Sequence, residues 1–371
     1  MKYYLIAGEA SGDLHGSNLM EAIKQCDPDA EFRFWGGDLM QQQGGTMVKH
    51  YRDLAFMGFL EVVLNLRTIL RNISLCKKDI ASFSPDVLIF IDYPGFNLRI
   101  AKWAKQKGYP THYYISPQIW AWKEGRIKDI KRDVDAMYVI LPFEKSFYED
   151  KHQFPVHFVG HPLIDAIAKR PLVEADEFRN RHGLDERPII ALLPGSRKQE
   201  ISKMLSIMLT MVKNYPGHQF VIAGAPSQEA SLYQSQTTNK DVKLILNDTY
   251  DLLGLATAAL VTSGTATLET ALYKVPQVVC YKGNAVSYQI AKRVIKLNYI
   301  SLVNLILDKP VVTELIQADL NEERLQEELD KILDPYHRAV LFIDYFDLEQ
   351  KLGGQGASLK TAKLITAAIS K

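Results

Sequence analysis

Short runs of Ile, Val, Leu, Phe and Tyr alternate along this chain with longer stretches of helical period. That pattern suits buried parallel strands joined by helical crossovers, the βαβ unit, and little else. In the first half, Lys2–Ala7, Glu31–Trp35, Asp86–Ile91, Thr111–Ile115, Ala136–Leu141 and Val156–Val159 read as strands, with helices over Asp13–Cys26, Gly58–Lys78 and Asn97–Lys107. A second series begins at Pro188–Leu193 and continues through Gln219–Ala223, Val242–Leu246, Ala258–Thr262 and Pro276–Cys280. Between the two, Gly160–Pro188 carries prolines and a charged stretch and reads as a connection. At about 100–200 residues per domain, 371 residues fit this division. The fold class is α/β, with two Rossmann-like domains, 1–163 and 164–345, facing a central cleft where ligands meet the carboxyl ends of the strands.

Composition narrows the partners. The 44 Lys and Arg nearly cancel 43 Asp and Glu, so no overall field draws the chain to nucleic acid, and any anion site must be local. Cys26, Cys76 and Cys280 stand far apart and odd in number, which argues against a disulfide framework or zinc knuckle and fits a reducing cytoplasm. The first strand turns into Gly8 too soon for a signal-peptide core. No uncharged stretch nears the ~18 residues that span a bilayer.

Chemistry-bearing residues gather at strand ends. Gly8-Glu9-Ala10-Ser11-Gly12-Asp13 offers a tight turn and a helix N-terminus without the spacing of a dinucleotide, P-loop or nucleophile-elbow motif. Asp13 reads as a cap for its own helix, which leaves Glu9 and Ser11 as site candidates. Strand Asp86–Ile91 delivers Asp92 directly after buried residues, where desolvation raises a carboxyl toward the range of a general base. Asn97 reads as the cap of the next helix, leaving Asp92 free. Ser116-Pro117-Gln118-Ile119-Trp120-Ala121-Trp122 sets Trp120 and Trp122 beside Arg126 as a stacking platform, with core packing the alternative for one of them. Asp133-Val134-Asp135 precedes a strand, at the wrong edge of the sheet for a metal-nucleotide motif.

In the second half, Gly195, Ser196 and Arg197 form a glycine turn with a guanidinium suited to phosphate. Ser263, Gly264 and Thr265 form another, with Glu269 one turn into the helix. Together they describe a nucleoside-diphosphate cradle with a carboxylate for ribose. His161, in Gly160-His161-Pro162, is first a structural histidine and only second a site candidate. The stretch Gly58–Lys78 is amphipathic. Leu60, Val63 and Leu66 suit acyl contact, Arg67 and Arg71 suit anionic headgroups, and nothing comparable stands out in the second domain.

The strings Gly8–Asp13, Asp92–Asn97, Ser116–Trp122, Leu141–Glu144, Gly160–Pro162, Leu193–Arg197, Ser263–Glu269 and Asn304, in this order, closely resemble the bacterial lipid-A-disaccharide synthase family over nearly the whole chain. The resemblance implies an inverting glycosyltransferase of GT-B type. In that family UDP-2,3-diacylglucosamine donates its sugar to 2,3-diacylglucosamine 1-phosphate, giving a β-1,6-linked disaccharide phosphate and UDP. By position, Asp92 matches the family's base, Glu9 and Ser11 its first-domain loop, and Arg197, Glu269 and Asn304 its nucleotide side. The resemblance also implies a C-terminal helix, 346–371, that completes the acceptor-side first domain, no metal or other cofactor, and peripheral attachment to the inner face of the inner membrane. It leaves open a homodimer. Gly95, Val303 and Thr313 depart from the family pattern, and Gly95 removes an alternative base. The rivals are a UDP-sugar epimerase and a noncatalytic sugar-nucleotide or lipid-binding protein.

Overall fold

The apolar runs pair as parallel strands in two separate sheets, seen in a computed structural model that describes residues 1–54, 66–226, 228–237, 239, 241–284 and 298–370. The first sheet contains β1 (Lys2–Ala7), β2 (Glu31–Gly36), β3 (Thr46–His50), β4 (Val87–Ile91), β5 (Thr111–Tyr114), β6 (Ala136–Val139) and β7 (His157–Phe158), in the order β3-β2-β1-β4-β5-β6-β7. The second contains β8 (Ile189–Leu193), β9 (Gln219–Gly224), β10 (Val242–Leu246), β11 (Ala256–Thr262), β12 (Gln277–Tyr281) and β13 (Glu314–Ile316), in the order β10-β9-β8-β11-β12-β13. Both orders are doubly wound: the chain moves outward from a central strand in one direction, then returns and moves outward in the other. β4 (Val-Leu-Ile-Phe-Ile) and β8 (Ile-Ile-Ala-Leu-Leu) are buried along their whole length. Each fully buried Leu, Ile or Phe contributes about 1.5–3 kcal/mol relative to exposure, so these centres anchor the two cores.

One compact unit comprises Met1–Lys169 and Leu352–Lys371, the other Arg170–Lys351. The divisions differ from the expected 163/164 and 345/346. Helix Pro162–Ala168 packs on the first unit, and helix Pro335–Lys351 continues unbroken through the second expected boundary. The stretch expected to be a bare connection holds two helices, Pro162–Ala168 and Ala175–His182. On helix Pro335–Lys351, Tyr336, Val340, Phe342, Ile343 and Phe346 are exposed, so the second unit does carry an apolar surface. Its opposite side is apolar too, with Leu341, Tyr345 and Leu348 buried, and this all-round hydrophobicity hides the face from a search for amphipathic stripes.

Glycine permits two close approaches that set the first unit's shape. Gly8 lies against the Tyr93 ring, where a Cβ would come within 2.4 Å of it. Gly160 and Gly353, at φ +92° and +91°, sit back to back, so that a Cβ on Gly353 would meet the Gly160 Cα at 3.2 Å. Beside this contact the His161 amide donates to Leu352 O at 2.9 Å. The buried Asp165 carboxylate accepts from the amides of Gly356 (2.6 Å) and Ser358 (2.9 Å), the first turn of the last helix, Ala357–Ile369. His161 is a helix cap here: its Nδ1 accepts from the Leu163 amide at 3.2 Å, and its ring meets His15 edge-on at 6.4 Å. Burial, reinforced by His15, pushes His161 down to about 3, so the ring is neutral and held in place. Asp165→Ala leaves the buried Ser358 amide and the partly buried Gly356 amide without this acceptor. It is expected to lower the urea-unfolding free energy by about 1–2 kcal/mol and to speed proteolytic release of the last helix; an unchanged midpoint would refute the clamp.

Candidate active site at the strand ends

Doubly wound sheets bind ligands where neighbouring strands send the chain in opposite directions. In the first sheet that place lies between β1 and β4, where Ala7 pairs with Ile91, so Gly8 and Asp92 leave the sheet side by side. In the second it lies between β8 and β11, where Leu193 pairs with Val261, and the turns Pro194–Arg197 and Ser263–Thr265 leave there. Four of the motifs singled out from the sequence thus fall at two equivalent points.

Asp92 and Tyr93 are both left-handed, at φ +43° and +49°. Such residues cost about 1–3 kcal/mol each and persist only where the surroundings fix them. Here Asn97 Nδ2 and Tyr113 Oη donate to Asp92 O at 2.7 and 2.6 Å, and the Asp92 amide donates to Tyr114 O at 3.2 Å. Asn97 is therefore not the expected cap: its helix starts at Pro94, and the buried amide ties strand ends together from inside it. These bonds hold the Asp92 main chain. Its carboxyl is pushed up to about 7, first by burial and then by Glu9 and Glu144, against a lowering bond from the Tyr93 amide. A carboxyl so placed is a competent general base near neutral pH.

Glu9 is the exposed N-cap residue of helix Ala10–Cys26, and Ser11 is exposed in its first turn. Asp13 does not cap this helix. It accepts from the amides of Gly37, Leu39 and Met40 at 2.7–3.1 Å and caps the next one, Asp38–Gln42.

Glu144 escaped the search for site residues. It is buried at the third position of helix Pro142–Ser146 and accepts from Ser116 Oγ (2.5 Å), Trp120 Nε1 (3.1 Å), and the amides of Ile140 (3.1 Å) and Leu141 (2.9 Å). In the sequence it closes the string Leu141–Glu144 that carries part of the family resemblance, as an acid in the first turn after Leu141-Pro142. The two tryptophans therefore divide. Trp120 is a brace, bonded to Glu144 and edge-on to Phe143, whereas Trp122 is half exposed.

In the second unit Gly195 has φ +106°, and a Cβ there would meet Glu200 Oε2 at 2.9 Å. Arg197 starts helix Lys198–Met208 with its side chain 70% exposed and paired with Glu200 at 3.7 Å. Ser196 O accepts from Gln228 Nε2 at 2.8 Å. Gly264 and Thr265 are exposed at the start of helix Thr265–Leu272, and Ser263 Oγ donates to Ile300 O at 3.0 Å. Glu269 accepts from Tyr250 Oη at 2.9 Å, and burial raises its carboxyl.

Asn304 is not a surface contact. It is buried with both ends of its amide used, donating to Val312 O and Glu314 Oε1 and accepting from the amides of Val311 and Val312, all at 2.8–2.9 Å. It shapes the approach to β13, and no group remains for a nucleotide. Nearby, Val303 is buried and Thr313 Oγ1 donates to Glu328 at 2.7 Å, while Gly95 faces open space. Asp133 is paired with Arg132, and Asp135 with Lys105 and Thr111. Leu60, Val63 and the Leu66 side chain lie outside the described residues. Helix Leu66–Phe83 buries Asn72, Ile73, Cys76 and Ile80 and exposes Arg67, Arg71 and Lys78 with Leu70 and Leu75.

The folded chain holds the Asp92 proton up to about pH 7, whereas an unperturbed Asp loses it near 3.8, so ionisation costs the fold increasingly between those values. Asn tolerates a left-handed backbone. Asp92→Asn is therefore expected to raise the melting temperature more at pH 8 than at pH 5; an equal change at both would contradict the assigned proton.

Residues 3–362 match the family described as Lipid-A-disaccharide synthetase. Curated relatives named lipid-A-disaccharide synthase include those of Syntrophus aciditrophicus, 40% identical over 99% of this chain and 97% of that one, and Coxiella burnetii, 38% identical over 97% and 96%. Among solved structures, the Staphylococcus aureus MnaA–UDP complex aligns over 100% of this chain and 97% of its own at TM-score 0.69 and 12% identity. The calicheamicin glycosyltransferase CalG4 aligns over 100% and 98%, at TM-score 0.60 and 14% identity. At such identities the structures speak for the fold alone, which is that of GT-B glycosyltransferases and related epimerases. The sequence matches go further: the chain belongs to the lipid-A-disaccharide synthase family, enzymes of lipid A biosynthesis.

Proposed function

We propose that the chain transfers 2,3-diacylglucosamine from UDP to the 6-hydroxyl of 2,3-diacylglucosamine 1-phosphate with inversion, using Asp92 as base. The observation that carries this reading is the Asp92 carboxyl, at a strand-end switch point and raised to about 7. Asp92 takes the hydroxyl proton as the oxygen attacks the anomeric carbon; the bond from that carbon to the UDP oxygen breaks, and UDP leaves with the electron pair. Arg197 and the amides opening helices Lys198–Met208 and Thr265–Leu272 suit the charge developing on the diphosphate. The reading calls on no metal. An epimerase would act on the UDP-sugar alone, and family membership favours transfer over it.

Incubation with both substrates, followed by mass analysis, is expected to give the disaccharide phosphate, with activity surviving exhaustive EDTA. An epimerised donor without disaccharide would reject transfer. Asp92→Asn is expected to cut turnover by on the order of 10²–10⁴-fold while UDP affinity stays near normal; near-normal turnover would remove Asp92 from the base role.

Acylated substrates also require a lipid surface, and no helix among the described residues is long and apolar enough to cross a membrane. We assign peripheral docking at the inner membrane to the outer face of helix Leu66–Phe83, where Leu70 (56% exposed) and Leu75 (43% exposed) flank Arg67, Arg71 and Lys78. Because Leu70 and Leu75 lie outside the core, their joint replacement by Ser is expected to leave folding intact and reduce sedimentation with anionic vesicles. Undiminished sedimentation would place docking elsewhere.

A further inference from the structure

The loops leaving the first sheet gather carboxylates, and Glu9 and Glu144 both act electrostatically on Asp92. Two cations in those loops are committed to carboxylates. Arg52 faces Asp38 at 3.5 Å, and Lys145 faces Glu149 at 3.9 Å. Lys123 and Arg126 differ: among the described residues neither has a carboxylate partner. The acid between them, Glu124, is engaged by Lys151 (2.6 Å) and His152 (2.9 Å). What the two cations share is the half-exposed Trp122, with Lys123 Nζ 4.3 Å and Arg126 Cζ 5.8 Å from the ring centroid.

This cluster is tied to the base on two sides. Arg126 acts electrostatically on the Tyr113 phenol, whose hydroxyl donates to Asp92 O. The loop carrying Trp122 is pinned by Ser116 and Trp120 to Glu144. A guanidinium without a carboxylate partner, beside a second point charge, matches a phosphate monoester. Such a group carries about −1.5 to −2 charge near neutral pH, which Glu9 and Asp92 would otherwise repel.

We propose that Arg126, assisted by Lys123, binds the phosphate of the acceptor sugar at the rim of the Asp92 site and so selects phosphorylated over unphosphorylated acceptors. This rests on the transfer reaction above. The test uses the full chain in mixed micelles, with phosphate-free 2,3-diacylglucosamine as a competing ligand, so that its affinity is read whether or not it is glycosylated. The unaltered protein is expected to bind the phosphorylated acceptor at least about tenfold tighter. Arg126→Ala is expected to bring that ratio toward one with the KM for the UDP-sugar unchanged, and Arg126→Lys to restore part of it. A ratio unaffected by Arg126→Ala overturns the assignment, as does an equal loss for both ligands, the mark of a damaged loop. Absence of disaccharide with the unaltered protein overturns the transfer reaction itself, and is read before any variant is made.

Discussion

One buried side-chain amide holds the first unit's working edge together. The two hydrogens on Asn97 Nδ2 are shared among the carbonyls of Ile6 (3.3 Å), Ile91 (3.4 Å) and Asp92 (2.7 Å), so a single group fastens β1 to β4 where both end. Without it the carbonyls of Ile6 and Ile91 would lose a donor, at about 1–3 kcal/mol for each one left unsatisfied, while Asp92 O would keep the Tyr113 hydroxyl. The left-handed turn of Asp92 and Tyr93 would lose one restraint and rest on the Tyr113 hydroxyl and the Asp92 amide bond to Tyr114 O. Gly8 completes the arrangement by letting the Tyr93 ring lie against the backbone of β1. The Asp92 main chain, and with it the start of the side chain, is thus placed by contacts that do not involve the carboxyl.

The same strand order produces opposite chemistry in the two units. In the first, the switch point carries Asp92 with Glu9 nearby, and burial with like charge raises the carboxyl's affinity for a proton to near neutrality. In the second, the turns at Gly195 and Gly264 open helices of 11 and 8 residues with Arg197 exposed beside them, a setting that favours anions. Glu269 sits one turn into the second of these helices, with one carboxylate oxygen accepting from Tyr250 Oη.

The buried strands were legible because parallel sheets demand unbroken apolar runs, and β1 and β10 begin and end where the residue pattern places them. β3 and β13 were not. Both lie at sheet margins, where half-exposed residues such as Lys49 and Glu314 dilute the signal. The position of Asp92 at a strand end was legible because the unbroken apolar run Val87–Ile91 stops there. Asn97, Asp13, Glu144 and Asn304 show the limit. Each is a polar residue whose meaning lies in its partner, and a motif gives residue type and spacing without saying whether the side chain faces solvent or a carbonyl far along the chain, as Asn97 faces Ile6.

The clamp between Asp165 and the last helix bears on how the chain emerges from the ribosome. Synthesis ordinarily lets an N-terminal domain fold first. Here the first unit includes Leu352–Lys371, while the second is complete at Lys351. All residues of the second unit are therefore encoded before helix Ala357–Ile369, and a chain truncated at Lys351 would keep every residue of the second unit while leaving the first without the helix its Asp165 receives.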